Sequence, residues 1–298
     1  MHKLKKRYEC PNNYSLYETC HAHGWKNLSP FHWHEDEIKL IFSVTLGSTS
    51  LDISTIQNDA EIEATITSQN SVGNNESELD RIIERILSLD VDTDDLLNVA
   101  ENNGKEYKKL VQNGAGRLLR SPTLWEDAAK TLFTTNCSWS LTKRMCKNMC
   151  SNHFSKPAPS GLFPFPIPEN LLKNSTKKIQ KLASVGYRAN FLLKLAENFQ
   201  KDPGFHNIET NGLGYNQADS FVRNLPGFGD YAVAHLLLMA GYYNEIPIDS
   251  GVVSYLRENY RVRKPKSFLN RKYQKWGKYK WLGYKLEKMI NNQNWIGD

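Results

Sequence analysis

Apolar residues alternate with polar ones at Leu40, Phe42, Val44 and Leu46, again at Leu51 and Ile53, and again at Ile62, Ala64 and Ile66. A period of two puts each set on one face of a strand, and the turn-forming pairs Gly47-Ser48 and Asn58-Asp59 predict a short antiparallel meander. The period then changes. Leu79, Ile82, Ile83, Ile86 and Leu87 follow the i, i+3, i+4, i+7, i+8 spacing of an amphipathic helix, which would cover one face of that sheet. Thr93, followed by Asp94-Asp95, predicts the start of a second short helix. Asn102-Asn103-Gly104 marks a boundary, so that residues 1–104 form an α+β domain.

Beyond it the strand signal fades and helices dominate residues 105–298. Pro122 and Glu126-Asp127 open a helix running through Phe133; Thr134-Thr135-Asn136-Cys137 interrupts it, and a second helical stretch runs from Ser138 to Met149. Residues 155–168, with five prolines, predict an extended connector. Tyr187, Phe191, Leu192, Leu195, Ala196 and Phe199 make a buried helix face. The expected fold class is therefore α+β, an antiparallel-sheet module followed by a mostly helical domain.

Chemistry concentrates between Asn216 and Asn259. A helix ends at Asn224, Leu225-Pro226-Gly227-Phe228-Gly229 turns the chain, and a second helix follows from Asp230 to Ala240. Two glycines around one apolar residue permit a sharp turn and leave backbone amides uncovered at a helix N-terminus, where a phosphate is the obvious guest. The same turn could simply join two packed helices. After the stop at Gly241, Ile246-Pro247-Ile248-Asp249 leads into another helix and sets one carboxylate near the hairpin. On position alone Asp249 is an N-cap before it is a catalyst.

Composition narrows the partners. The chain has 298 residues, 38 Lys+Arg against 32 Asp+Glu, and a mean hydropathy of −0.57. The absence of any run of about 18 apolar residues excludes a membrane-spanning helix, and the basic start Met1-His-Lys-Leu-Lys-Lys-Arg leads into polar residues rather than a signal core. Five cysteines show no framework spacing, which suits a reducing compartment. Residues 261–298 carry eleven Lys/Arg against Glu287 and Asp298, whereas the rest of the chain is slightly acidic. Those cations interleave with Tyr273, Trp276, Tyr279, Trp281 and Tyr284. The pattern suits either a phosphate-facing surface or an amphipathic helix with a solvated Lys face.

Leu225-Pro226-Gly227-Phe228-Gly229 followed by Ile246-Pro247-Ile248-Asp249 resembles the signature of the helix-hairpin-helix DNA glycosylase superfamily. Thr134-Thr135-Asn136 is similar to the end of the helix before that family's DNA-probing turn, and Val185-Gly186-Tyr187-Arg188-Ala189 to a loop-helix segment of the same domain. The first 104 residues resemble the TBP-like N-terminal domain of the 3-methyladenine glycosylase II and 8-oxoguanine glycosylase branches. The resemblance implies that Asp249 is the essential carboxylate and that the Gly227-Phe228-Gly229 turn meets DNA through its backbone, with a monovalent cation nearby. It also implies a duplex DNA partner carrying damaged bases and, for the expected monomer, a place in the nucleoid or the nucleus according to organism.

Within that family a nucleophilic lysine stands eighteen residues before the aspartate; here that position is Tyr231, which implies a monofunctional enzyme using water. No cysteine follows Cys150, so four ligands for an iron–sulfur cluster are lacking. Asn136 either fills the gap left by a flipped base or caps a helix. Tyr231, Trp139, Tyr187 and Trp125 are either a base-stacking pocket or core. Arg271, Lys272 and Lys275 are the expected phosphate contacts. The pairs His21/His23 and His32/His34 read as surface or turn residues, and Cys146/Cys150 as small buried hydrophobes. With aromatic faces and no evident His or Lys on the motif helices, the expected substrate is a cationic alkylpurine. Oxidised or mismatched bases, or DNA binding without chemistry, are the alternatives.

Overall fold

The computed structural model of the protein describes residues 1–202, 208 and 212–291, with the backbone alone at Asn74. Five antiparallel strands form one sheet: β1 (His2–Glu9), β2 (His32–His34), β3 (Lys39–Leu46), β4 (Thr49–Asn58) and β5 (Glu61–Ser68), in the order β1-β5-β4-β3-β2. The meander is β3 to β5, in register Phe42↔Ile53 and Ile53↔Ile66. Its alternating residues Leu40, Phe42, Val44, Ile53, Ile62, Ala64 and Ile66 are all buried. Helix α1 (Leu16–His21) links β1 to a 3-10 helix at Gly24–Asn27.

Helix α2 (Glu76–Leu87) buries the five residues that its spacing singled out. Lys6 and Tyr8 on β1 hold Asp80 on its exposed side, the phenol at 2.7 Å. The opposite face of the sheet carries Ser43 and Asp52. Asp52 accepts from Ser43 Oγ and from the amide and hydroxyl of Ser160, so the proline-rich connector is strapped across this face.

Helix α3 (Asp94–Asn103) turns at Gly104 into α4 (Lys105–Gln112), and the two pack on each other. Helix α5 (Leu124–Thr134) is capped by Thr123, whose hydroxyl accepts the Glu126 amide, and is almost wholly buried. Its polar residues are paired. Lys130 reaches Glu126 at 2.7 Å, and Asp127 faces Arg85 at 3.0 Å. Helices α6 (Trp139–Met149), α7 (Pro168–Leu172), α8 (Thr176–Ala183) and α9 (Arg188–Lys201) pack around α5. Then come α10 (Tyr215–Arg223), α11 (Asp230–Met239), α12 (Ser250–Tyr260), α13 (Pro265–Lys272), a 3-10 helix at Gln274–Tyr279 and α14 (Lys280–Asn291).

Sheet and helices share one hydrophobic core. Trp25, from the N-terminal segment, donates its indole N–H to Asp127 of α5 at 2.7 Å. The aromatics of the basic C-terminal segment face inward: Tyr273, Trp276, Trp281 and Tyr284 are buried. Asp298, one of the two acids of that segment, lies outside the described residues.

Candidate active site

The hairpin between α10 and α11 is built on Gly227 and Gly229, for different reasons. Gly227 has φ +85°, and a Cβ there would stand 2.9 Å from the Phe191 ring and 3.0 Å from Leu132, so both backbone and space require glycine. Gly229 has ordinary extended φ and ψ as the N-cap of α11, and a Cβ there would meet nothing. Intramolecular packing does not ask for glycine at that point; close approach of an external group would. The amides of Gly227 and Gly229 have no hydrogen-bond partner among the described residues, which leaves donors at a positive helix end. Phe228, expected beside them at the DNA, instead turns its ring into the core, and its amide closes the turn on the Leu225 carbonyl at 3.2 Å. Burying an aromatic ring is favourable, so the hairpin presents backbone rather than Phe228.

Asp249 ends the Ile246-Pro247-Ile248 segment as the N-cap of α12. Its Oδ1 accepts the Val252 amide at 2.7 Å. The cap orients the carboxylate without burying it, and Gly251 keeps its flank open: a Cβ there would lie 3.3 Å from Oδ1. Capping and chemistry are therefore compatible.

Hairpin and aspartate border one cavity of about 1190 Å³, which Asn136, Trp139, Tyr187 and Tyr231 also line. Asn136 sits at the tip of the α5–α6 turn with φ +48°, and Arg188, itself buried, donates to the Thr135 carbonyl and so fixes that turn. Tyr187 is 53% exposed, at the mouth, with the Arg188 guanidinium 4.7 Å from its ring. Tyr231 lies deeper. Trp125, by contrast, is not in the cavity: it is buried in the core and donates its indole N–H to the Pro166 carbonyl at 2.8 Å.

The inner wall holds residues that the sequence did not mark. His235, one turn after Tyr231 on α11, stacks on Trp25 with centroids 5.0 Å apart and planes at 23°. Its Nδ1 is 3.1 Å from the Tyr231 hydroxyl. Trp25 is fixed in turn, because Asp127 also accepts the Ser121 amide and pairs with Arg85. Burial would raise the Asp127 carboxyl, but Arg85 and these donors hold it below the usual range. Burial pushes the His235 imidazole down to about 4, against smaller upward pulls from Asp249 and Asp127. His23 is down to about 3, by burial and then by His235; its Nε2 is bound to the Leu119 carbonyl at 2.6 Å. Burial raises the Tyr231 phenol to about 12, with Thr134 pulling it down and Asp249 pushing it up.

His23 thus lines the cavity and His21 is buried, whereas His32 and His34 are exposed; the expectation of surface histidines holds for the second pair alone. Helix α14 contributes Trp281, Tyr284, Lys285 and Lys288. Their i, i+3, i+4, i+7 spacing was a legible signal of one helix face. The three basic residues named from sequence stand elsewhere. Arg271 and Lys275 are exposed outside the cavity, and Lys272 holds Glu287 at 3.0 Å while lying 4.4 Å from the Tyr260 ring centroid. Among the described residues, no three His, Cys, Asp or Glu side chains converge as metal ligands.

The architecture is that of a helix-hairpin-helix protein with a carboxylate at the mouth of an aromatic cavity. Solved structures share it. The chain superposes on 3-methyladenine DNA glycosylase from Archaeoglobus fulgidus with a TM-score of 0.72 and 17% identity, covering 97% of this chain and 100% of that one. The apo 8-oxoguanine glycosylase/lyase of Clostridium acetobutylicum gives 0.66 and 14% identity, over 90% and 93%. The same enzyme in complex with duplex DNA containing cytosine opposite 8-oxoguanine gives 0.63 and 15%, over 92% and 94%. No family model and no curated relative matches the sequence. At these identities the likeness establishes the fold, which is that of the 3-methyladenine and 8-oxoguanine DNA glycosylases.

Proposed function

We propose that the protein is a DNA N-glycosylase that receives a base flipped from duplex DNA and hydrolyses its bond to the sugar, with Asp249 as the catalytic carboxylate. One observation carries this: Asp249 opens onto the same aromatic cavity that the uncovered amides of Gly227 and Gly229 border. Phosphate binding alone needs no carboxylate there. In the reaction the C1′–N bond breaks, the base leaves with the electron pair, and positive charge grows on the sugar. A fixed carboxylate stabilises that charge and takes a proton from the water that bonds to C1′. The departing nitrogen is protonated in turn, and an abasic site remains. Extruding the base costs a few kcal/mol, least for a damaged or mispaired one. The cation implied at the hairpin would be held by turn carbonyls such as those of Pro226 and Gly227, neutral oxygen donors that suit a monovalent ion.

The reading is monofunctional, since Tyr231 occupies the position at which a lysine would attack. Incubating the enzyme with lesion duplexes should release free base and leave strands that break only after alkali. Borohydride should trap no covalent adduct. Strand cleavage without alkali, together with trapping, would overturn the monofunctional assignment; no release from any lesion duplex would overturn the activity.

For substrate, the sequence favoured a cationic alkylpurine on two grounds. The aromatic faces are present. The supposed lack of His or Lys is not: His235 stands on α11, and Lys285 lines the cavity.

A further inference from the structure

The inner wall of the cavity is polar in a directed way. His235 has one ring face covered by Trp25, and its Nδ1 is engaged by the Tyr231 hydroxyl. When that phenol donates to Nδ1, the imidazole proton resides on Nε2, which has no partner among the described residues. The arrangement is held from behind by Asp127, through the indole N–H of Trp25 at 2.7 Å. Across the cavity stands the Lys285 ammonium of α14, 5.8 Å from the Trp281 centroid and near enough to His23 to depress it further. The wall therefore offers a hydrogen-bond donor on an aromatic shelf, with positive charge opposite. Such a wall attracts carbonyl oxygens and repels cations.

We propose that His235, oriented by Tyr231 and Trp25, is the specificity-determining residue of this cavity: it donates Nε2–H to a carbonyl oxygen of an uncharged, oxidised or deaminated purine, while Lys285 disfavours cationic alkylpurines. The inference rests on the glycosylase reading only in that the cavity is taken to receive a flipped base. It reverses the substrate order that the aromatic content alone suggests. Cation–π attraction acts on a charged base from the faces of Trp281 and Tyr231, but an ammonium in the same cavity opposes it.

The test separates recognition from catalysis. Duplexes carry a 2′-fluoro nucleotide, which resists glycosidic cleavage, bearing either 8-oxoguanine, hypoxanthine or cationic 7-methylguanine, and affinity is read by fluorescence anisotropy. The wild type should bind one or both uncharged lesions about tenfold tighter than 7-methylguanine, the scale of one good hydrogen bond to a buried acceptor. His235→Phe keeps a ring on Trp25 without the donor and should erase that preference, with 7-methylguanine binding unchanged. His235→Gln, which restores an N–H, should recover part of it. Lys285→Gln should tighten 7-methylguanine about threefold or more. Circular dichroism confirms that each variant is folded. Tighter binding of 7-methylguanine by the wild type, or an equal loss for all lesions in His235→Phe, would overturn the proposal. Selective binding without release of base from the corresponding 2′-deoxy duplexes would uphold it and refute the glycosylase activity instead.

Discussion

At Asp249 one side chain does two things, and a substitution can separate them. Oδ1 caps α12 through the Val252 amide, and asparagine caps a helix as well as aspartate does. Asp249→Asn should therefore leave the melting temperature nearly unchanged while removing the charge that stabilises the sugar cation. Single-turnover base release should fall by about 10²-fold or more, the scale of losing an electrostatic group at a developing charge, while duplex affinity is kept. Near-wild-type release would remove Asp249 from the chemistry. His23 and His235 make a second prediction at this scale. Their imidazoles stand at about 3 and about 4 in the folded protein, and His21 and His32 are lowered too, against an ordinary value of 6.5. Between pH 6.5 and 4 the unfolded chain binds protons that the folded chain refuses, so stability is complete above 6.5 and declines as pH falls. The melting temperature should be lower at pH 5 than at pH 7, and His235→Phe should weaken that dependence. A curve that is flat or rises on acidification would contradict the buried, uncharged histidines.

Among the elements, the hairpin separates what glycine does for the fold from what it does for a ligand. Gly227→Ala forces a side chain into positive φ and against Phe191 and Leu132, and should cost about 1–3 kcal/mol of stability. Gly229→Ala meets nothing in the protein, so thermal stability should hold. Duplex affinity should drop several-fold, because the methyl group stands where a phosphate approaches. Equal damage to stability in both variants would mean that Gly229 is structural. The hairpin, β3 to β5, α2 and α5 were legible because period, turn residues and caps agree along short stretches. β1 was not. Its basic run His2-Lys-Leu-Lys-Lys-Arg shows no apolar alternation because it is an edge strand, paired on one side with β5 and charged on the other. The cavity wall was legible only in part. Tyr231 and Asp249 follow from the motif, but Trp25 reaches His235 from 210 positions away in sequence, and only tertiary packing joins them.

On the scale of the whole molecule, charge is distributed by what packing leaves over. The eleven cations of the C-terminal segment suggested one continuous phosphate-facing surface, yet the fold divides them. Lys272 is spent inward on Glu287, which also accepts from the Tyr255 and Tyr260 hydroxyls and so ties α12, α13 and α14 together. Lys278 pairs with Asp95 of α3, and Lys280 with Glu245. Arg271 and Lys275 remain exposed outside the cavity, while Lys285 and Lys288 line it. If binding releases counterions from duplex phosphates, the log–log slope of affinity against salt counts the cations engaged, at roughly 0.9 per phosphate contact. Arg271→Gln with Lys275→Gln should flatten the slope without moving the melting temperature. Lys272→Gln should do the reverse. It leaves Glu287 without its cation in a nearly buried setting, where breaking an ion pair costs about 3 kcal/mol or more, so the melting temperature should fall while the slope stays close to wild type. A flattened slope for Lys272→Gln in a protein of unchanged stability would show that Lys272 leaves Glu287 for a phosphate on binding. An unchanged slope for the Arg271/Lys275 pair would confine the electrostatic footprint to the hairpin amides and the lysines of α14.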